Sequence, residues 1–101
     1  MYDKDNIKKL GRMADLAPDA WNAFVEFDKA ATQDGALSKK MKELIAVGVA
    51  LSTQCVYCID IHRKKALKAG ATEEELAETA MVAAALKAGG AVTHATHLLE
   101  S

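Results

Sequence analysis

Cys55 and Cys58 are the chain's two cysteines, and they stand three residues apart. His62 follows the second by four residues, and Glu43 precedes the first by twelve. Two thiols at that spacing can close a disulfide within one helical turn. An imidazole one turn further on can move the proton that thiol chemistry requires. No other group of residues in the chain has comparable chemical content.

On a helix each residue turns by about 100°, so Cys55, Cys58 and His62 fall within roughly 60° of one another. Cys58 and His62 form an i, i+4 pair that sets an imidazole beside a thiol. Cys55 stands in or just before the first turn, where free N–H groups and the positive dipole end favour a thiolate. Each cysteine therefore has its own reason to be the attacking group, and the pairing with His62 favours Cys58. Glu43 belongs to the preceding helix. If the two helices fold back through Ser52-Thr53-Gln54, Glu43 approaches the dithiol as a further proton-exchanging group. Glu43, His62 and the two thiols then form a proton relay.

The same residues admit blander readings. A lone CxxC is also half a zinc site, to be completed by His62 or by His94 and His97. No second cysteine pair accompanies it, and the two later histidines lie in a distant segment. Two cysteines can equally be inert core residues. Taken singly, Glu43 reads as a solvated or helix-terminal glutamate and His62 as a surface histidine. The joint pattern favours a redox pair with a relay, needing no metal and no cofactor.

The elements that must position these groups read as five or six helices and no strands, an all-α fold. The 101-residue chain is half hydrophobic, with five aromatic residues and one proline. Its apolar half is mostly alanine, leucine and valine, a composition that favours helix. Asp3 or Asp5 can cap a short first helix reaching about Gly11. Pro18 suits the first turn of a second helix, Asp19 to about Thr32, with Trp21, Phe24, Val25 and Asp28 at helical spacing. Trp21, Phe24 and Phe27 read as core or interface residues rather than a substrate box.

Asp34-Gly35 marks a turn. Ser38 can cap a third helix, Lys39 to about Leu51, which is apolar on all sides from Leu44 onward and therefore expected to be buried. Ser52 or Thr53 can cap a fourth helix that runs from about Cys55 to a C′ glycine at Gly70. Thr72 and Glu75 fit a capping box opening a fifth helix to about Ala88. Gly89-Gly90 is expected to break or kink it before a last helix, Ala91 to about Leu99. His94 and His97 read as surface or oligomer contacts.

Composition closes off several classes. The formal net charge is −1 with the charges interspersed, so no basic footprint for nucleic acid is present. No apolar run approaches the roughly 20 residues that span a bilayer. The opening stretch Met1-Tyr2-Asp3-Lys4-Asp5 is polar and mixed in charge, unlike a secretory signal. Two cysteines in such a chain point to redox or metal chemistry in a reducing cytoplasm rather than to a structural disulfide framework. Length suits one domain, 1–101, with a modest core whose burial is expected to be completed by oligomerisation.

At these residues the chain resembles the AhpD-like, carboxymuconolactone decarboxylase family. The family pattern E-x11-C-x2-C-x3-H reads here as Glu43, Cys55, Cys58 and His62. The resemblance extends over the flanking apolar helix, His62 through Leu76, and the Gly89-Gly90-Ala91-Val92-Thr93 stretch, spanning roughly residues 20–99. It implies an all-helical, AhpD-like fold that assembles as trimers or hexamers. It also implies a thiol-dependent peroxidase, of the alkylhydroperoxidase or peroxiredoxin type, or a disulfide reductase. Cys55 and Cys58 would be the redox pair, with Glu43 and His62 as the relay. The substrate would be a hydroperoxide or a disulfide, and an external dithiol the reductant.

One position departs from the pattern. The alkyl hydroperoxide reductase D enzymes carry a histidine immediately before the second cysteine, where this chain has Tyr57. The family name also covers a lactone decarboxylase, which needs acid–base groups but no dithiol. The intact cysteine pair favours the redox branch over the decarboxylase and over a non-catalytic assembly or zinc-binding module.

Overall fold

The computed structural model describes residues 3–101; Met1 and Tyr2, which begin the polar opening stretch, lie outside the described residues. Among those described there are five α-helices and no strand. A 3₁₀ segment, Lys4–Lys9, leads into α1, Leu10–Leu16. Then come α2, Pro18–Thr32, α3, Lys39–Thr53, α4, Val56–Lys68, and α5, Glu73–His94, which ends in a 3₁₀ turn, Ala95–Leu98. The all-α expectation holds.

Local chemistry sets most of the boundaries. The Asp3 side chain accepts from the Asp5 backbone N–H and starts the first segment. Pro18 opens α2, where its missing N–H costs nothing. Asp34 accepts from the Lys39 backbone N–H at 2.7 Å, fixing the turn before α3, and Ser38 caps that helix. Gly70 takes φ +99° after α4, a conformation that favours glycine. Thr72 and Glu75 form both bonds of the capping box. The Lys40 ammonium, 2.7 Å from Glu75, and the Thr72 backbone N–H hold the Glu75 carboxyl below its ordinary value.

Four expectations are corrected. The first helix does not stop at Gly11, because the 3₁₀ segment passes directly into α1. Ser52 and Thr53 do not cap α4. They complete α3, and Cys55 itself is the N-cap. Gly89-Gly90 does not break α5, which runs continuously for 22 residues. Each glycine costs a helix roughly 1 kcal/mol relative to alanine, which a long run of i→i−4 bonds tolerates. The apolar run of α3 is also not buried all round in the protomer: Ile45 is 48% and Val49 56% exposed.

The core lies where α3 crosses α4 and the start of α5. Leu44, Val47, Ala66 and Ala71 are buried there, with Leu51 and Leu76 packed against them. α1 pairs with α2, and this hairpin touches α3 at few places. The result is open: the radius of gyration is 16.9 Å, where a compact domain of this length has about 13 Å. The accessible surface is 7806 Å², about 40% above the roughly 5,500 Å² of a monomer of this mass. Much of the excess is apolar. α5 has no buried residue, and Met81, Val82, Leu86 and Val92 are all more than half exposed.

The continuous α5 predicts that Gly89→Ala stabilises the protein by about 0.5–1 kcal/mol, since a Cβ there meets nothing within 4 Å. Urea unfolding measures this, and destabilisation would mark a break. Thr72→Ala should cost about 1 kcal/mol by the same measurement. Because the folded Glu75 carboxyl titrates below its unfolded value, its contribution is present at neutral pH and is lost as pH falls through the folded value.

Candidate active site

The turn between α3 and α4 builds the cysteine site. Gln54 adopts φ 56°, the left-handed region, as the C-cap of α3. That reversal lets the Cys55 N–H bond back to the Ala50 carbonyl at 3.0 Å and delivers Cys55 to the start of α4. Its Sγ accepts from the Cys58 backbone N–H at 3.3 Å. The sulfur thus occupies the position where serine or aspartate usually caps a helix, and meets the positive end of the dipole. Cys55 and Cys58 are joined in a disulfide, with their Cα atoms 5.2 Å apart.

Glu43 comes from α3 and is 0% exposed, the one charged residue among the buried side chains described. His62, one helical turn past Cys58 on α4, bonds to it with Nδ1 2.7 Å from Oε2. An ionised carboxylate only accepts, so in that state Nδ1 carries the proton and Nε2 is the ring's other exchange point. Oε1 of Glu43 has no hydrogen-bond partner among the described residues. The fold-back through Ser52-Thr53-Gln54 therefore brings Glu43 to His62 directly, and His62 stands one helical turn past Cys58 on α4.

Cys58 and His62 open onto one cavity of about 530 Å³ between α4 and the α1–α2 hairpin. From α2 come Trp21, Phe24, Val25 and Asp28; from α4, Tyr57, Ile61 and Lys65. Asn6, Ile7 and Leu10 close it from the N-terminal side. The lining is mainly apolar, as in small-molecule sites. Cys58 is a lining residue and Cys55 is not, so the pair meets the cavity unequally.

Sequence reasoning missed that wall. Trp21 and Phe24 line the cavity and lie outside the buried core, while Phe27 is 71% exposed and off the cavity. The signal was present: all four residues of the stripe Trp21, Phe24, Val25 and Asp28 are cavity residues. The aspartate interrupting an apolar stripe marked a face that meets a wetted site. Asn6, Ile7 and Leu10 gave no signal. His94 and His97 are exposed at the end of α5, with ring centroids 5.7 Å apart. No three His, Cys, Asp or Glu side chains among the described residues converge to hold a metal ion.

The model of the carboxymuconolactone decarboxylase family matches residues 18–101. The chain belongs to that family. Among solved structures, a carboxymuconolactone decarboxylase family protein from Legionella pneumophila superposes with a TM-score of 0.79 at 39% identity, covering 92% of this chain and 83% of that one. A protein from Methanobacterium thermoautotrophicum gives 0.82 at 36% identity, covering 89% and 98%. The uncharacterised protein 4 of the cox locus of Paracoccus denitrificans is 43% identical over 90 residues, 89% of this chain and 81% of its own. An uncharacterised Cupriavidus necator protein is 37% identical, covering 91% and 81%. For this carboxymuconolactone decarboxylase family member, no described helix is long and apolar enough to cross a membrane.

The buried pair predicts that Glu43→Ala is costly, on the order of 2–4 kcal/mol, because it opens a void and strands the His62 Nδ1. Glu43→Gln, which keeps the volume and an acceptor, should cost less than half as much. Urea midpoints of the two variants decide it, and equal losses would mean that the hydrogen bond contributes little.

Proposed function

We propose that this protein is a cytoplasmic thiol-dependent oxidoreductase in which Cys55 and Cys58 cycle between dithiol and disulfide. The observation that carries the reading is the shared wall. Cys58, bonded to Cys55, and His62, bonded to Glu43, line the same apolar cavity.

The Cys58 thiolate attacks one oxygen of a hydroperoxide, and the O–O bond breaks. His62 donates a proton to the departing alkoxide, giving an alcohol and a Cys58 sulfenic acid. The Cys55 thiolate, stabilised at the helix start, attacks the Cys58 sulfur. The S–O bond breaks, and the hydroxide leaves as water with a proton from the relay. An external dithiol then supplies two electrons and two protons to reopen the disulfide by exchange. A partner's disulfide could replace the hydroperoxide, with a mixed disulfide in place of the sulfenic acid. Glu43 holds the imidazole and balances its charge while the proton moves.

A second reading, lactone decarboxylation by Glu43 and His62, draws support from the family's name and from Lys65 as an anion-binding group on the cavity wall. It predicts activity that survives Cys55→Ser/Cys58→Ser, whereas the redox reading predicts none.

The exposed apolar faces of α3 and α5 support assembly as a trimer or hexamer. These faces border a groove of about 560 Å³ lined in part by Ile45, Val49, Val82 and Leu86.

Three outcomes are expected. After one equivalent of peroxide, the Cys55→Ser variant should form a sulfenate on Cys58 that a dimedone probe traps. A sulfenate trapped only on Cys55, in the Cys58→Ser variant, would reverse the assignment. His62→Ala should move the pH profile of Cys58 alkylation to higher pH, and an unchanged profile would sink the relay. Light scattering should give a multiple of the 10.8 kDa protomer mass, reduced by Leu86→Asp. A monomeric wild type would contradict the proposed assembly.

A further inference from the structure

The family model begins at residue 18, yet part of the cavity wall comes from before it. Asn6, Ile7 and Leu10 belong to the 3₁₀ segment and the first residue of α1, and all three line the cavity that Cys58 faces. Two hydrogen bonds tie the segment to Tyr57 of α4. The Tyr57 phenolic oxygen accepts from the Asp3 backbone N–H and from Asn6 Nδ2, each at 3.3 Å. Tyr57 immediately precedes Cys58. It occupies the position at which the alkyl hydroperoxide reductase D enzymes carry a histidine. The residue before Cys58 therefore anchors the segment that lines the N-terminal side of the cavity.

We propose that the segment Asp3–Leu10, held on Tyr57, is a specificity wall that makes the site prefer a hydroperoxide with an apolar organic body over hydrogen peroxide. This rests on the thiol reading above and assigns to the N-terminal segment the selection among hydroperoxides at that site. Ile7 and Leu10 from the N-terminal segment and Trp21, Phe24 and Val25 from α2 line the same cavity, so a substrate body would meet apolar groups from two elements. Leu10 is still 42% exposed, which leaves apolar surface for a ligand to cover. Each methylene so buried multiplies affinity by about four. Hydrogen peroxide has no such surface and gains nothing from the wall. Releasing the segment should thus penalise the organic substrate selectively.

The test uses the full chain with dithiothreitol as reductant. The readout is the ratio of kcat/KM for cumene hydroperoxide to that for hydrogen peroxide. Tyr57→Phe keeps the ring but removes the acceptor of both bonds, and should lower the ratio by about tenfold; Asn6→Ala, which removes one bond, by about fivefold. The protein's single tryptophan, Trp21, stands on the same wall and gives a second readout without turnover. Its quenching by cumyl alcohol should require several-fold more alcohol in Tyr57→Phe. A ratio within twofold of wild type in both variants, or an unchanged alcohol affinity, overturns the proposal. If the wild type neither consumes peroxide nor loses thiols to it, the thiol reading fails instead, and the alcohol titration alone decides the wall.

Discussion

The hydrogen bond between Glu43 and His62 is the interaction on which the rest of the site depends. A carboxyl group taken wholly out of water is costly unless its oxygens find partners. Here one oxygen has His62 and the other has none among the described residues. An apolar side chain of similar volume at position 43 would avoid that cost. What the carboxyl contributes is position. It ties α4 to α3 through a single short bond, and so fixes how α4 presents its cysteine face. The imidazole is held by one nitrogen, leaving the other for exchange.

Around this bond, two local devices prepare the sulfurs. The left-handed Gln54 turns the chain sharply enough to make Cys55 the cap of α4. A residue other than glycine or asparagine pays a conformational penalty there, and the penalty is met at the turn that delivers the first cysteine. Cys58 then lies one turn into the helix, facing the cavity beside His62. Cys55 sits at the helix start, and Cys58 belongs to the cavity lining. That asymmetry supports the proposed division between a resolving and an attacking thiol.

Much of this arrangement was legible in the sequence. The spacing of Glu43, Cys55, Cys58 and His62 carried the family, and Pro18, Ser38, Gly70 and Thr72 marked helix ends by their chemistry. The failures have physical causes. Nothing in a glutamine announces a left-handed conformation, so Ser52 and Thr53 looked like the caps. Gly89-Gly90 looked like a break because propensity was weighed without the helix around it. The apolar ring from Leu44 to Leu51 looked fully buried, yet Ile45 and Val49 are exposed on the isolated protomer, where the proposed assembly would cover them. The aromatic stripe of α2 was read at the right period. Its destination depended on how the α1–α2 hairpin stands away from α3, which is a tertiary outcome that no local pattern encodes.

The central claim is that Cys55 and Cys58 form a reversible redox pair, and a thiol count tests it most directly. Purified reduced protein would be titrated with Ellman's reagent before and after one equivalent of a hydroperoxide, with the intact mass recorded alongside. The account predicts loss of both thiols, a mass lower by about 2 Da for the two hydrogens removed, no covalent dimer, and full recovery with a dithiol. Two thiols still titratable at unchanged mass would contradict it.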